Sequence, residues 1–422
     1  MSIPPVKRSP SVNLGSLPAF QCYDCRGCGE CCRGYLAINV TPAERERIEA
    51  QGWGSDPALQ GQTLFTQRGG THYLAHRADG SCVFLDEGNR CRIHAKFGEP
   101  AKPLTCRLYP FGFVPAGKEA KVDLRFDWPA AAENDGRPLS AHRGALSELL
   151  ALAVPRGLQN IPAPPLLQGA AMDWPRLQRI TRAFDAMLQD ERLNLTQRVA
   201  CCVNLAAALD NPRIADLDTK ALDELLAKAS AKLSTAGSDE LPRVPPETAV
   251  QAMFRQLLTV YGRRDRANAK ERLWERLKTS LAMARGKGIV PPLRPELPAV
   301  GFADLEITFG VPDGEAAAAL LRYYRLRLWS MSFCGRAFYN RHFLDGLNAL
   351  WLTYPLILWF ARLFAAGEGK AALERTHVEW ALSIVDHQHG RTPLLDVRAE
   401  RYRTASLCER STLRSLVIWY GT

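Results

Sequence analysis

The stretch "CYDCRGCGECC", Cys22–Cys32, places five thiols in eleven residues, and the use of those thiols decides what the rest of the chain must build around them. Three chemistries use clustered cysteines: a disulfide framework, a metal or iron–sulfur site, and a thiol redox centre. A chain of 422 residues is long enough for two or three domains that bury their own cores, so disulfide staples are not needed for folding. The start, "MSIPPVKRSPSVNLGSLPAF", has two early prolines and no apolar run of secretory length, which leads to the expectation of a cytoplasmic protein. Thiols stay reduced there, and clustered ones bind metal more often than they pair.

Within the stretch, Cys22, Cys25, Cys28 and Cys31 recur every three residues, and Cys32 follows directly. A C-x-x-C loop lets two thiolates converge on one metal while intervening amides donate to the sulfurs, and the repeated step is that of ferredoxin-type clusters. Gly27 and Gly29 supply the backbone freedom such a loop needs. Cys82, Cys91 and Cys106 are distant ligands that would close the site, enough in all for two four-thiolate sites or for one site with spare cysteines. The threefold step favours an iron–sulfur cluster of the 4Fe-4S kind. Zinc stays open, because "CRIH" offers a knuckle through Cys91 and His94, with a neutral His94 beside the site as the expected arrangement. Lys102 and Arg107, close in sequence to Cys106, are candidates for receiving an anionic cofactor. Cys201, Cys202, Cys334 and Cys408 are scattered and read as small buried hydrophobes.

Outward from the thiols the chain divides. Residues 1–20 are expected to be extended or disordered, residues 21–135 to form a cysteine-rich metal-binding domain, and residues 136–422 to form a helical domain. In the first unit, "TPAE" at Thr41–Glu44 has a capping threonine, proline at the first helical position and glutamate three residues past the cap, which predicts a helix start. Turn signals at Asp79-Gly80 and Glu87–Asn89 place Cys82 and Cys91 on or beside a small hairpin, and "AKVDLRFDW" at Ala120–Trp128 alternates like a strand. The unit closes near Pro129–Pro138. Beyond it, helical periodicity recurs over Ser140–Val154, Asp173–Gln189, Thr196–Leu209, Thr219–Ala231, Pro246–Tyr261, Asn268–Ala284, Gly314–Trp329, Leu344–Phe364, Ala371–Asp386 and Ala405–Trp419. The expected fold class is therefore mainly α: a small cysteine-rich α+β metal-binding domain followed by a multi-helix domain.

"CRGCGECCRG", "CVFLDEGNRCRIH" and "KPLTCRLYPFGF" together resemble the cysteine-cluster family marked by CxxCxxCC, a zinc- or iron-chelating domain, over about Cys22–Phe113. The resemblance implies that Cys25, Cys28, Cys31 and Cys32 form the CxxCxxCC element and that Cys82, Cys91 and Cys106 are its later cysteines. In length and in the ending "YYRLRLW…FYNRHF…ALSIVDHQH" the chain is also similar in pattern to the flagellin lysine N-methylases. That likeness implies an iron–sulfur cluster with S-adenosylmethionine as cofactors, protein lysine methylation as the activity, and flagellin as the protein partner. The alternative is a zinc-stabilised interaction protein without enzymatic activity.

The remaining features are read more plainly. The formal charge is +10, yet the arginines are spread along the chain and form no dense basic tract, so no nucleic-acid partner is expected. "GLNALWLTYPLILWF", Gly346–Phe360, falls short of the roughly 20 residues that span a bilayer and reads as a buried core helix, so no transmembrane segment is expected. No glycine-rich turn follows a strand at dinucleotide-fold spacing. "DHQH", Asp386–His389, reads as a helix terminus whose two histidines diverge, and Tyr323, Tyr324, Trp329, Phe333, Phe338, Tyr339 and Phe343 read as core aromatics.

Overall fold

The computed structural model of the protein describes residues 12–33, 37–127, 129–154, 161–237, 241–263 and 273–422. Most of the expected extended N-terminus, residues 1–11, and the first residues of the helix expected from Asn268 lie outside the described residues. Among the described residues 55 % are helical, and the only sheets are small ones near the N-terminus, so the mainly α class with a small α+β unit holds.

Two three-stranded sheets form. In one, β2 (Asn39–Val40) and β3 (Phe65–Arg68) flank β4 (Thr71–Leu74), all antiparallel. In the other, β5 (Phe111–Ala116) pairs antiparallel with β6 (Glu119–Leu124), and β1 (Asn13–Leu14) adds in parallel to the far edge of β6. Each sheet belongs to a different core. Ile38, Val40, Ile48, Trp53, Leu59, Leu74, Val83, Phe84 and Ile93 make a small core around the first sheet. Leu124 and Phe126, at the end of β6, join the main core of the helical body instead. So do Ala131 and Ala132, in the short Pro129–Glu133 helix where the chain was expected to leave the first unit.

The helix start expected at Thr41 forms, and the structure adds two further caps. Thr41 caps the Pro42–Glu49 helix with a complete capping box through Glu44. Asp173 caps Trp174–Leu188, and Asn194 with Gln197 makes a second capping box on Leu195–Ala208. The Leu273–Arg285, Gly314–Ser330 and Arg375–Gln388 helices follow, and the last expected helix is two, Arg398–Leu407 and Arg410–Gly421.

The central helix, Phe343–Gly367, is 25 residues and is longer than its sequence suggested; by length and composition alone it could cross a membrane. Its apolar window is 89 % buried inside the protein, which makes it the hub of the main core. Apolar residues on every side of it find partners, so the helix continues through Pro355 although proline removes one backbone bond. Trp351 and Trp359 are fully buried, as are Tyr323, Tyr324 and Phe343.

Of the buried arginines among the described residues of this body, Arg362 and Arg327 are the most enclosed. Arg362 donates to the carbonyls of Leu305, Ile307, Trp419, Tyr420 and Thr422, tying off carbonyls that the end of the Arg410–Gly421 helix leaves without intrahelical partners. Burial pulls its pKa down to about 10. Arg327 ion-pairs with both Asp123 of β6 and Asp386 of the Arg375–Gln388 helix, and Asp386 also accepts the Phe126 amide at 2.7 Å. These contacts fasten the β5–β6 ribbon to the helices.

Candidate metal centre

The cysteine loop straddles the seam between the two cores. Its first half is held by the helical body: Phe20 meets Trp329 edge-on, the Tyr23 amide donates to Arg137, and Asp24 pairs with Arg137 at 2.8 Å. Arg26 pairs with Glu133 and with Asp135. Its second half rests on the small core, through Arg33 to Asn89 and through the Cys82 amide, which donates to Cys32 at 2.8 Å. Between the halves, Cys25 and Cys28 are exposed. The turns demand glycine at two places. Gly29 has φ +72° and lies so close to Asn89 that a Cβ would meet its carbonyl at 3.1 Å; at Gly136 (φ +112°) a Cβ would come within 2.6 Å of the Asp24 amide.

Three other segments bring their thiols to the same place. Cys82 and Cys91 sit on isolated bridges, His76 with Cys82 and Leu85 with Cys91, rather than on the strands of a hairpin. Arg77 pins the turn between them by donating to Val83 and Leu85, both at 2.9 Å. Cys106 lies in the Leu104–Leu108 helix. Glu44, besides completing the Thr41 capping box, accepts the Leu104 amide at 2.7 Å and so positions that helix. Cys82 is buried in the small core, and Cys32, Cys91 and Cys106 pack against it.

Cys31, Cys32, Cys82, Cys91 and Cys106 form one electrostatic neighbourhood. The hydrogen bond with Cys32 holds the Cys31 thiol down at about 7 against its burial, with help from the Lys102 charge, and raises Cys32. Burial pushes Cys82 up to about 12 and raises Cys106, and neighbouring thiols add to both shifts. Burial and mutual repulsion therefore work against a full set of thiolates here, and a bound cation would offset both. The Cys31 and Cys32 sulfurs are 3.9 Å apart. Two thiolates on one tetrahedral zinc, each about 2.3 Å from the metal, stand about 3.8 Å apart. The donor chemistry and this close pair fit a metal, although as the side chains stand no three His, Cys, Asp or Glu groups among the described residues enclose an ion.

The other expected site residues divide. Cys22 is fixed to the helical body, its amide donating to Asn134 at 2.7 Å and its thiol close enough to influence Arg322. Lys102 faces Cys31 and Cys106, where its charge favours thiolate. Arg107 turns to Glu99 at 2.9 Å. His94, expected beside the site, is exposed on the Arg92–Phe97 helix. The "DHQH" histidines diverge as read: His387 Nδ1 is 3.4 Å from Asp127, while His389 Nδ1 is 2.9 Å from the Tyr261 hydroxyl.

Sequence reasoning passed over one neighbour of the centre. Tyr109, three residues after Cys106, donates to Asp127 at 2.9 Å, and Asp127 also pairs with Arg125. This buried cluster continues the chain of contacts from Cys106 into the helical body. Aspartate and arginine spaced along "DLRFDW" were its one visible signal, and strand alternation explained them equally well.

Residues 24–130 match the family model CxxCxxCC, described as "Putative zinc- or iron-chelating domain". Every thiol of the five-membered group falls inside that match, as do Cys25 and Cys28, and Cys22 falls outside it. No curated protein and no solved structure matches the chain.

Proposed function

We propose that residues 24–130 hold a thiolate-bound metal centre that clamps the small core onto the helical body. The observation that carries this reading is the packing of Cys32, Cys82, Cys91 and Cys106, from four separate segments, in and against one small core, with Cys31 3.9 Å from Cys32. Cys25 and Cys28, exposed on the arm that crosses the seam, are within reach of the same loop and would supply further thiolates. A bound metal would supply charge to hold the thiolates together; Lys102 would balance the anionic sulfur shell.

The repeated C-x-x-C step through Cys22, Cys25, Cys28 and Cys31 favours an iron–sulfur cluster. Zinc is the second reading, favoured by the 3.9 Å sulfur pair. Anaerobic purification followed by iron, sulfide and zinc analysis separates them. A brown protein with iron and acid-labile sulfide is expected; a colourless protein with stoichiometric zinc would replace the cluster by zinc, and absence of both would overturn the centre.

The enzymatic form of the proposal is methyl transfer from S-adenosylmethionine to a protein lysine, with flagellin as substrate. Its support is the sequence pattern of the C-terminal region. Calorimetric titration of the metal-loaded protein with S-adenosylmethionine, and methyl incorporation into flagellin, test it. Without either response the protein is an interaction module with a structural metal.

A further inference from the structure

On the Leu273–Arg285 helix the inner face is marked by Met283, which is fully buried. On the opposite face Trp274, Leu277 and Leu281 are 73 %, 51 % and 52 % exposed. At 100° per residue these three fall within about 60° of one another, so they form one stripe rather than scattered exposure. Lys278 and Arg285, both exposed, fall on the same side of the helix within about 40° of Trp274, and exposed Lys287 and Ile289 follow directly after it. Glu275 is the one acidic residue of the helix and points off the stripe.

A soluble helix normally turns its apolar stripe inward. This one buries one face and presents a second apolar face, edged by cations, to solvent. We infer that the Leu273–Arg285 helix docks the protein on an anionic lipid surface, with Trp274, Leu277 and Leu281 entering the headgroup boundary and Lys278, Arg285 and Lys287 meeting the lipid charge. Tryptophan beside leucine, flanked by lysine and arginine, is the composition that lies in a bilayer interface. The formal charge of +10 adds a long-range attraction to the same surface. An acidic protein groove would meet the charges equally well. A lipid surface is favoured because tryptophan and two leucines form one stripe along the helix with lysine and arginine on its flank, a composition suited to a bilayer interface.

The test uses the full chain with vesicles of phosphatidylcholine alone and of phosphatidylcholine with phosphatidylserine. Cosedimentation is expected only with the serine-lipid vesicles and should fall as salt rises. The surface variant W274S/L277S/L281S should lose binding while keeping its helical circular dichroism. The variant K278E/R285E should weaken it by at least about fivefold per charge removed. Failure of the wild-type protein to sediment with anionic vesicles would overturn the inference, as would undiminished binding by the serine variant. A concentration-dependent dimer that the serine variant abolishes, with no vesicle binding, would assign the stripe to self-association instead.

Discussion

The small core around Ile38, Trp53 and Phe84 and the large core around Trp351 and Trp359 are stabilised in different ways. In the large core a long apolar helix is surrounded by others, and even buried Arg327 and Arg362 find carboxylates or carbonyls for their terminal nitrogens. The small core is covered by short strands, short helices and turns, and its boundary is made partly of thiols, with buried Cys82 inside and Cys32, Cys91 and Cys106 against it. Where apolar surface is plentiful, burial suffices; where it is scarce, a metal can supply the missing free energy. The two regions should therefore respond differently to the same disturbance.

The largest expected difference is metal removal. A metal that organises its own site contributes on the order of 10 kcal/mol to the folded form. Replacing Cys32 and Cys82 by serine, or stripping metal with a chelator, should expose residues before about 110 to protease and leave most helical circular dichroism intact. If the whole chain resists protease after the metal is gone, the small core stands by itself and a catalytic or redox role gains weight.

Next in size is the buried ion cluster that joins the β5–β6 ribbon to the helices. Arg327→Ala leaves Asp123 and Asp386 buried without their shared cation, and about 3–5 kcal/mol of stability should be lost in denaturant titration. Arg327→Met with Asp386→Asn should recover part of that loss. Equal losses in the single and double variants would show that charge pairing is not what the cluster contributes.

The large core should also respond to acid through one residue. Burial holds the His389 pKa down at about 3, against 6.5 for an ordinary histidine. The unfolded chain thus takes up this proton first as pH falls. The stabilising effect of neutral His389 is complete above pH 6.5 and should decline by about 1.4 kcal/mol per pH unit from there toward pH 3. Chemical denaturation of wild type and His389→Gln between pH 7 and pH 5 checks this, since the variant should show a shallower slope by that amount.

The smallest effect should sharpen the boundary of the centre. Cys22→Ser, on the side of the helical body, is expected to leave metal content unchanged, whereas Cys106→Ser should reduce it. Metal loss in both would place Cys22 among the ligands. Thr41→Ala should cost about 1 kcal/mol through the lost cap, with the loss confined to the unit that carries Cys106.

Much of this was legible in local sequence. The capping box at Thr41, the helical periods and the CxxCxxCC spacing act over a few residues, and local rules decide them. So does the divergence of His387 and His389 at a helix end. The sequence by itself thus determined the mainly helical class and the presence of a thiol-rich unit. Which cysteines meet was a different matter, because Cys31, Cys82, Cys91 and Cys106 are brought together by contacts such as Glu44 with Leu104 and Cys82 with Cys32, between residues far apart in the chain. The same holds for the β5–β6 ribbon, which joins the helical core through Asp123 and Phe126, and for Arg327 and Arg362, whose charges look like surface charges until distant carboxylates and carbonyls enclose them. Only the tertiary structure decided these, since a buried charge or a closed thiol site depends on partners that no local window of sequence contains.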